Sequence, residues 1–252
     1  MKIGLVQYNP IWENKETNKE KITKLISDLQ GIDLFVFPEM SLTGFTMDSE
    51  KFAEGIQGNS YRFFSEVAAT KNTNVIAGVI EKRKNRIYNT TIHINPNGGL
   101  EKLYRKIHPF SYSTEDENYD AGSRPAVGKI KKWKFGFTIC YDLRFPELFR
   151  KYGKKRVHFI VNIANWPDTR IEHWRTLLKA RAIENQCYIL GVNRVGDDPK
   201  LHYTGFSSVF DPMGKEIISV ANDEQVVVAE IDKELVRNVR EKFPFLEDMK
   251  MI

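Results

Sequence analysis

The sequence predicts an α/β fold on three observations. Apolar runs of strand length recur along the chain, segments of helical period are interleaved with the early ones, and a block of strands precedes a return to strand and helix. Ile3 to Tyr8 reads as the first strand and Leu34 to Phe37 as the second. Between them Ile22, Leu25, Ile26 and Leu29 repeat at helical spacing after Thr17, which makes a crossover unit. Ser60 is placed to cap a second helix carrying Phe63, Phe64, Val67 and Ala68. Strands follow at Val75 to Ile80 and, after a basic turn, at Asn89 to Asn95; Pro96-Asn97-Gly98-Gly99 is a hairpin turn into Leu100 to Tyr104. Lys106 to Arg124 is polar and irregular, a length of loop that usually carries function or is disordered. Lys134 to Ile139 and Val157 to Ile163 are buried strands, and Ile171 to Asn185 is a helix with Leu177, Leu178, Arg181 and Ala182 in register. Cys187 to Asn193, Ser207 to Phe210, Glu216 to Val220 and Gln225 to Ile231 complete the strands, with a turn at Asp211 to Gly214 and a charged helix at Lys233 to Glu241.

Composition narrows the class. At 252 residues and 41% hydrophobic content the chain can bury a substantial core, and a single domain spanning 1–252 is expected. No apolar run approaches the roughly 20 residues of a membrane-spanning helix, and the N-terminal apolar stretch is too short for an export signal. Cys140 and Cys187 do not make a disulfide framework, and neither has a Cys or His at metal-ligand spacing, so a reducing cytoplasm and no metal are expected. The net charge of +5 raises the question of nucleic acid, but Lys82 to Lys84, Lys129 to Lys134 and Lys154 to Arg156 fall in turns or at strand ends with no nucleic-acid motif beside them. Solvated loops account for them; neither a nucleic-acid nor a membrane partner is expected.

Three strands end on reactive side chains. Leu34 to Phe37 runs into Pro38-Glu39, Leu100 to Tyr104 into Arg105-Lys106, and Phe135 to Ile139 into Cys140. Carboxyl ends of parallel strands are where loops converge on a ligand. A thiol is mostly protonated at neutral pH, so a nucleophilic Cys140 needs a base, for which Glu39 is the candidate, or a positive neighbour, for which Lys106 is. The Lys106 ammonium and the Tyr141 backbone N–H are candidate donors to an oxyanion, each such donor typically contributing about 3 kcal/mol. Taken singly, a cysteine closing an apolar run reads as a small buried hydrophobe, and Glu39 and Lys106 as ordinary loop charges.

The local sequences change that reading. Phe37-Pro38-Glu39-Met40-Ser41-Leu42-Thr43-Gly44-Phe45, Tyr104-Arg105-Lys106-Ile107-His108 and Ile139-Cys140-Tyr141-Asp142-Leu143-Arg144-Phe145-Pro146-Glu147-Leu148 resemble, in order, the Glu, Lys and Cys motifs of the nitrilase superfamily of carbon–nitrogen hydrolases. The resemblance continues through Asn165-Trp166-Pro167, His173-Trp174, Ala180 to Gln186 and Asn193 to Gly196, and the later motifs look most like the omega-amidase branch. It implies a four-layer αββα sandwich of two mixed sheets with helices on the outer faces, a paired second subunit, and catalysis by Glu39, Lys106 and Cys140 without cofactor. It also implies a second glutamate after the lysine. Glu115 and Glu117 compete for that place, and their position relative to Lys106 and Ala121-Gly122 favours Glu115.

An omega-amidase acts on the terminal amide of a short dicarboxylic monoamide such as 2-oxoglutaramate, whose far carboxylate needs a cationic or amide partner. Arg170 is the candidate, with Phe45 and Trp166 as apolar walls; Arg144, Arg175, Arg181 and Arg194 are expected to pair with acids such as Glu147 and Glu184. An N-carbamoyl amide hydrolase or aliphatic amidase of the same superfamily is the alternative enzyme, and a non-catalytic scaffold the alternative class. The apolar Phe243-Pro244-Phe245-Leu246 should be covered, by a second subunit or by its own domain.

Overall fold

The structure is a computed structural model and describes residues 1–251. In chain order the strands are β1 Lys2–Gln7, β2 Leu34–Val36, β3 Asn74–Arg83, β4 Arg86–Ile94, β5 Leu100–Arg105, β6 Val127–Ile130, β7 Trp133–Ile139, β8 Phe159–Ile163, β9 Tyr188–Val192, β10 Val195–Asp197, β11 His202–Phe210, β12 Glu216–Ala221 and β13 Gln225–Glu230. The helices are α1 Lys15–Leu25, α2 Ser49–Phe52, α3 Asn59–Lys71, α4 Glu115–Asn118, α5 Pro146–Lys154, α6 Ile171–Asn185 and α7 Lys233–Lys242.

The period-two alternation of the strands creates the layers. Ile3 and Leu5 of β1, Leu34 and Val36 of β2 and Ile76 of β3 share one apolar cluster with Phe135, Phe137 and Ile139 of β7. The intervening Val6, Phe35, Val75 and Ala77 belong to a second cluster with Ile22 of α1 and Phe64 of α3. One face of the first sheet therefore meets the second sheet and the other meets helices. On the far side, Trp174 and Leu178 of α6 and Leu148 and Phe149 of α5 pack onto the second sheet. The result is the αββα sandwich of two mixed sheets, ordered β13-β1-β2-β3-β4-β5 and β10-β11-β9-β8-β7-β6, with β12 paired to β11.

Strand direction decides where the loops gather. β1, β2 and β3 are parallel, and the two antiparallel pairings of β4 return β5 to the direction of β2. In the other sheet β7, β8 and β9 are parallel. The ends of β2, β5, β7 and β8 carry Glu39, Lys106, Cys140 and Asn165 respectively.

The local differences from the sequence reading have physical causes. α1 starts earlier than Thr17 because the Asn14 side chain accepts from Thr17 N–H, and it stops at Leu25, although Ile26 still packs in the core. Ser60 is not the cap of α3. Gly58 holds that position, and Glu54 accepts from both the Ser60 N–H (2.7 Å) and its hydroxyl (3.1 Å), doing the capping from outside. Two strands, β6 and β10, and three helices, α2, α4 and α5, were not expected. At the C-terminus Leu246 folds back into its own chain, while Phe245 stays 63% exposed. Among the described residues no helix is long and apolar enough to cross a membrane.

Candidate active site

Glu39 follows β2 at a sharp bend, where Met40 has φ +44°. The bend lies against β3 so closely that a Cβ at Gly78 would stand 2.5 Å from Met40 N and 2.7 Å from Glu39 Cα; glycine is required there by close approach. Lys106 leaves β5 on the inward face, one residue after Arg105, which is locked outward to buried Glu81 by two bonds at 2.6 and 2.8 Å. Cys140 leaves β7 with φ +44°, uncommon for a residue with a side chain and frequent at functional turns, and opens a 3-10 turn, Cys140–Arg144. As the first two residues of that turn, Cys140 and Tyr141 have no acceptor within it for their N–H groups.

The first sheet and the connection that follows β5 bring Glu39, Lys106 and Glu115 into contact. Lys106 Nζ donates to Glu39 Oε1 at 2.9 Å and to Glu115 Oε2 at 2.7 Å, with all three side chains buried. An ammonium has three protons, so one is left for another acceptor. Of the two candidates for the second glutamate, it is Glu115 that is buried against Lys106, and Glu117 is exposed. The long connection that looked irregular is folded around it, with Glu115 opening α4 and Phe110 N–H donating to its carboxylate at 2.6 Å.

Asn89 and Asn165 complete the cluster, and sequence reasoning gave neither a role. Asn89 Nδ2 reaches Glu39 Oε1 at 2.7 Å and Glu115 Oε1 at 2.9 Å. Asn165, at the end of β8, donates its N–H to Glu39 Oε2 at 2.9 Å and its Nδ2 to the Glu39 carbonyl at 2.8 Å, and its own carbonyl lies 3.9 Å from Cys140 Sγ. The signal for Asn165 was its place in a matching motif; Asn89 in mid-strand offered none.

The electrostatics follow from burial with mixed charge. Burial pushes the Cys140 thiol well up, and the Glu39 carboxylate adds to the rise against the opposing pull of Lys106. Burial opposes the Lys106 ammonium, but Glu115 and Glu39 outweigh it and hold the amine above its ordinary range. Burial raises the Glu115 carboxyl, Lys106 works against that, and Glu39 reinforces it, for a net rise. The resting site therefore holds a protonated thiol beside a charged lysine.

Asp142, buried two residues past the thiol, ties the turn to the lysine segment. It accepts from Tyr104 Oη (2.7 Å), Ile139 N–H (3.0 Å), His108 N–H (3.1 Å) and His108 Nδ1 (2.7 Å). His108 stacks on Phe145 at 3.8 Å.

Cys140 opens onto a cavity of about 330 Å³ lined by Phe45, Trp166 and Arg170, together with Arg144 and Tyr141. The Phe45 ring lies 5.3 Å from Lys106 Nζ, and Trp166 Nε1 donates to the Arg170 carbonyl at 2.7 Å. The Arg170 guanidinium sits over Phe110 at 5.6 Å and has no carboxylate partner among the described residues. Arg175 pairs with Glu172 and Glu216, and Arg181 with Glu184, as expected of them. Arg144 and Arg194 depart from that expectation. Arg144 lies over Trp166 at 4.8 Å and meets His173 Nδ1 at 3.2 Å, facing the cavity and not Glu147. Arg194 is buried against Asn9 and the carbonyls of Val195 and Asp197. Among the described residues no group of three or more His, Cys, Asp or Glu side chains is arranged to hold a metal ion.

Comparison with known proteins gives a consistent picture. The family model for carbon-nitrogen hydrolases matches residues 2–241. The chain is 34% identical over 251 residues to the 2-oxoglutaramate amidase of Bacillus subtilis (strain 168), covering 98% of this chain and 97% of that one. It is 34% identical to the omega-amidase YafV of Escherichia coli (strain K12), with 98% and 96% covered. Among solved structures, XC1258 from Xanthomonas campestris, a CN-hydrolase superfamily protein with an arsenic adduct in its active site, superposes with a TM-score of 0.96 at 32% identity, covering 100% of this chain and 98% of that one. With this agreement of motif, fold and sequence along its length, the chain belongs to the carbon-nitrogen hydrolase family.

Proposed function

We propose that this protein is an omega-amidase, hydrolysing the terminal amide of short dicarboxylic monoamides such as 2-oxoglutaramate to the acid and ammonia through a thioester on Cys140. The observation that carries the reading is the buried Glu39, Lys106 and Glu115 cluster beside a cavity lined by Cys140 and by the guanidiniums of Arg144 and Arg170, which have no carboxylate partner among the described residues. The names of the relatives support it.

Because the thiol is protonated at rest, the nucleophile must be made during attack. Glu39 takes the Cys140 proton as sulfur adds to the amide carbon, and the C=O electron pair moves onto oxygen. The third proton of Lys106 and the Tyr141 N–H receive the oxyanion. Glu39 returns the proton to the amide nitrogen, the C–N bond breaks, and ammonia leaves a thioester. Glu39 then takes a proton from water, whose oxygen displaces the sulfur to release the acid and restore the thiol. Glu115 keeps Lys106 charged and aimed, Arg170 receives the distal carboxylate, and Phe45 and Trp166 form apolar walls.

Ammonia release from 2-oxoglutaramate, succinamate, aliphatic amides and N-carbamoyl amino acids, with Cys140→Ala beside the parent, tests the reading. Hydrolysis confined to the dicarboxylic monoamides and lost in the variant supports it; carbon dioxide released with ammonia from the carbamoyl substrates would replace it. Arg170→Ala should raise KM for the monoamides by about 10- to 100-fold, the loss of a charge-assisted bond, and leave neutral amides unaffected. A rise in Arg144→Ala alone would move the role there. The exposed Phe245 favours a homodimer, to be checked by light scattering, and a cytoplasmic location completes the proposal.

A further inference from the structure

We infer that Asn89 is a positioning residue of the hydrolytic reaction, its side-chain amide holding Glu39 and Glu115 as a matched pair around the Lys106 ammonium. The inference rests on the hydrolase reading above.

The argument is a count of protons. A primary amide nitrogen has two N–H groups, and the two acceptors of Asn89 Nδ2 are Glu39 Oε1 and Glu115 Oε1, so each carboxylate takes one. Lys106 supplies a second bridge between the same two groups, through Glu39 Oε1 and Glu115 Oε2. Two carboxylates facing one ammonium carry an excess of negative charge in a buried place, and the weaker acid of such a pair tends to keep a proton. A neutral double donor lowers that tendency without a further charge. It also leaves Lys106 a proton free for the oxyanion, which a cluster held by the ammonium alone would have to share more widely.

Two further observations fit a role in the site and not in the frame. The Asn89 side-chain oxygen is buried with no hydrogen-bond partner among the described residues, so the amide is turned toward the carboxylates at the expense of its own acceptor. Its backbone carbonyl accepts from the Lys106 N–H at 2.9 Å, which puts the amide and the lysine at adjacent places across the β4 and β5 pair. A leucine or valine would pack this buried strand position without the orphaned oxygen.

Without the amide, the buried cluster loses two neutral donors that favour its charged form, so the acid limb of any reaction that depends on it moves to higher pH. In Asn89→Ala, kcat near neutral pH is expected to fall by about 10- to 100-fold with KM little changed. The acid limb of the pH profile should move up by about one unit, and alkaline buffer should restore much of the rate. The rate of Cys140 alkylation by iodoacetamide, followed across the same pH range, should show the same displaced limb. Alkylation needs no amide substrate, so it tests Asn89 even if the parent hydrolyses none of the amides offered, an outcome that would overturn the hydrolase reading alone. If Asn89→Ala does not fold, Asn89→Ser, which removes the amide but keeps a small polar side chain, is measured in the same way. A folded variant whose acid limbs coincide with those of the parent would overturn the inference, whatever its kcat.

Discussion

Asp142→Asn is the most informative single substitution because it changes one atom at the junction of the thiol turn and the lysine segment. An ionised carboxylate only accepts, and four donors converge on this one: Tyr104 Oη and Ile139 N–H on Oδ2, His108 N–H and Nδ1 on Oδ1. An asparagine keeping its oxygen toward His108 turns an NH₂ group toward Ile139 N–H, two donors face to face. Tyr104 can rotate its hydroxyl to accept, but Ile139 N–H cannot reverse. The orphaned donor costs about 1 to 3 kcal/mol, and the bonds that remain lose the charge of their acceptor, worth about 1 kcal/mol each. Relief from burying a carboxylate works the other way and removes part of this. The net destabilisation expected is about 2 to 4 kcal/mol, or roughly 4 to 16 °C in Tm for a chain of this size. Thermal unfolding followed by circular dichroism gives the first number, and ammonia release below the transition gives kcat, expected to fall because the Cys140 turn and Lys106 lose their common anchor. Tm within about a degree of the parent together with an unchanged kcat would refute the reasoning.

Two other outcomes are expected. Glu39→Gln removes the base, so kcat should drop by about 10² to 10⁴ while iodoacetamide labelling of Cys140 slows at neutral pH and recovers in alkaline buffer; Cys187, whose thiol burial pushes up to about 12, should stay unlabelled throughout, and parent-like turnover would exclude Glu39 from proton transfer. Burial raises the Glu54 carboxyl, but Lys15 and Ser60 outweigh it and hold it below its ordinary range, so its contribution is present above the usual value of about 4.3 and disappears as pH falls through the lower folded value. The Tm gap between the parent and Glu54→Gln should accordingly be open at neutral pH and close below about pH 4, and a gap that widens with acid would reverse the sign.

Much of this was legible in the sequence because the strands state their own period. Ile3, Leu5, Leu34 and Val36 face one way and Val6, Phe35 and Phe37 the other, and α6 was readable to both ends. What stayed hidden has particular causes. α5 is short, and Pro146 at its first turn reads as a breaker until Leu148, Phe149 and Tyr152 are seen on one face. β6 and β10 are too brief for a pattern. Glu39, Lys106 and Cys140 could be named from motifs, and Glu115 from its place relative to Lys106. Asn89 and Asn165 could not be given roles, because an asparagine becomes a donor to a carboxylate only through contacts 50 and 126 positions away. Arg144 misled for the same reason: the nearby Glu147 suggested an ion pair, and the turn aims the guanidinium at Trp166 instead.

Glu39 and Lys106 hang from one sheet, Cys140 and Asn165 from the other, and Glu115 from the connection between them, so the assembly exists only once the two sheets have docked. In chain order β1, β2, β3, Glu39 and Lys106 all precede Cys140, so during synthesis the base and the lysine are made before there is a thiol to act upon. When the cysteine arrives it remains an ordinary thiol until Asn165 closes onto Glu39. The base and the ammonium are thus withheld from the thiol of a partly folded chain, which has only the chemistry of any exposed cysteine. In the finished protein the same arrangement makes thiol reactivity a local reporter of whether the sandwich is closed.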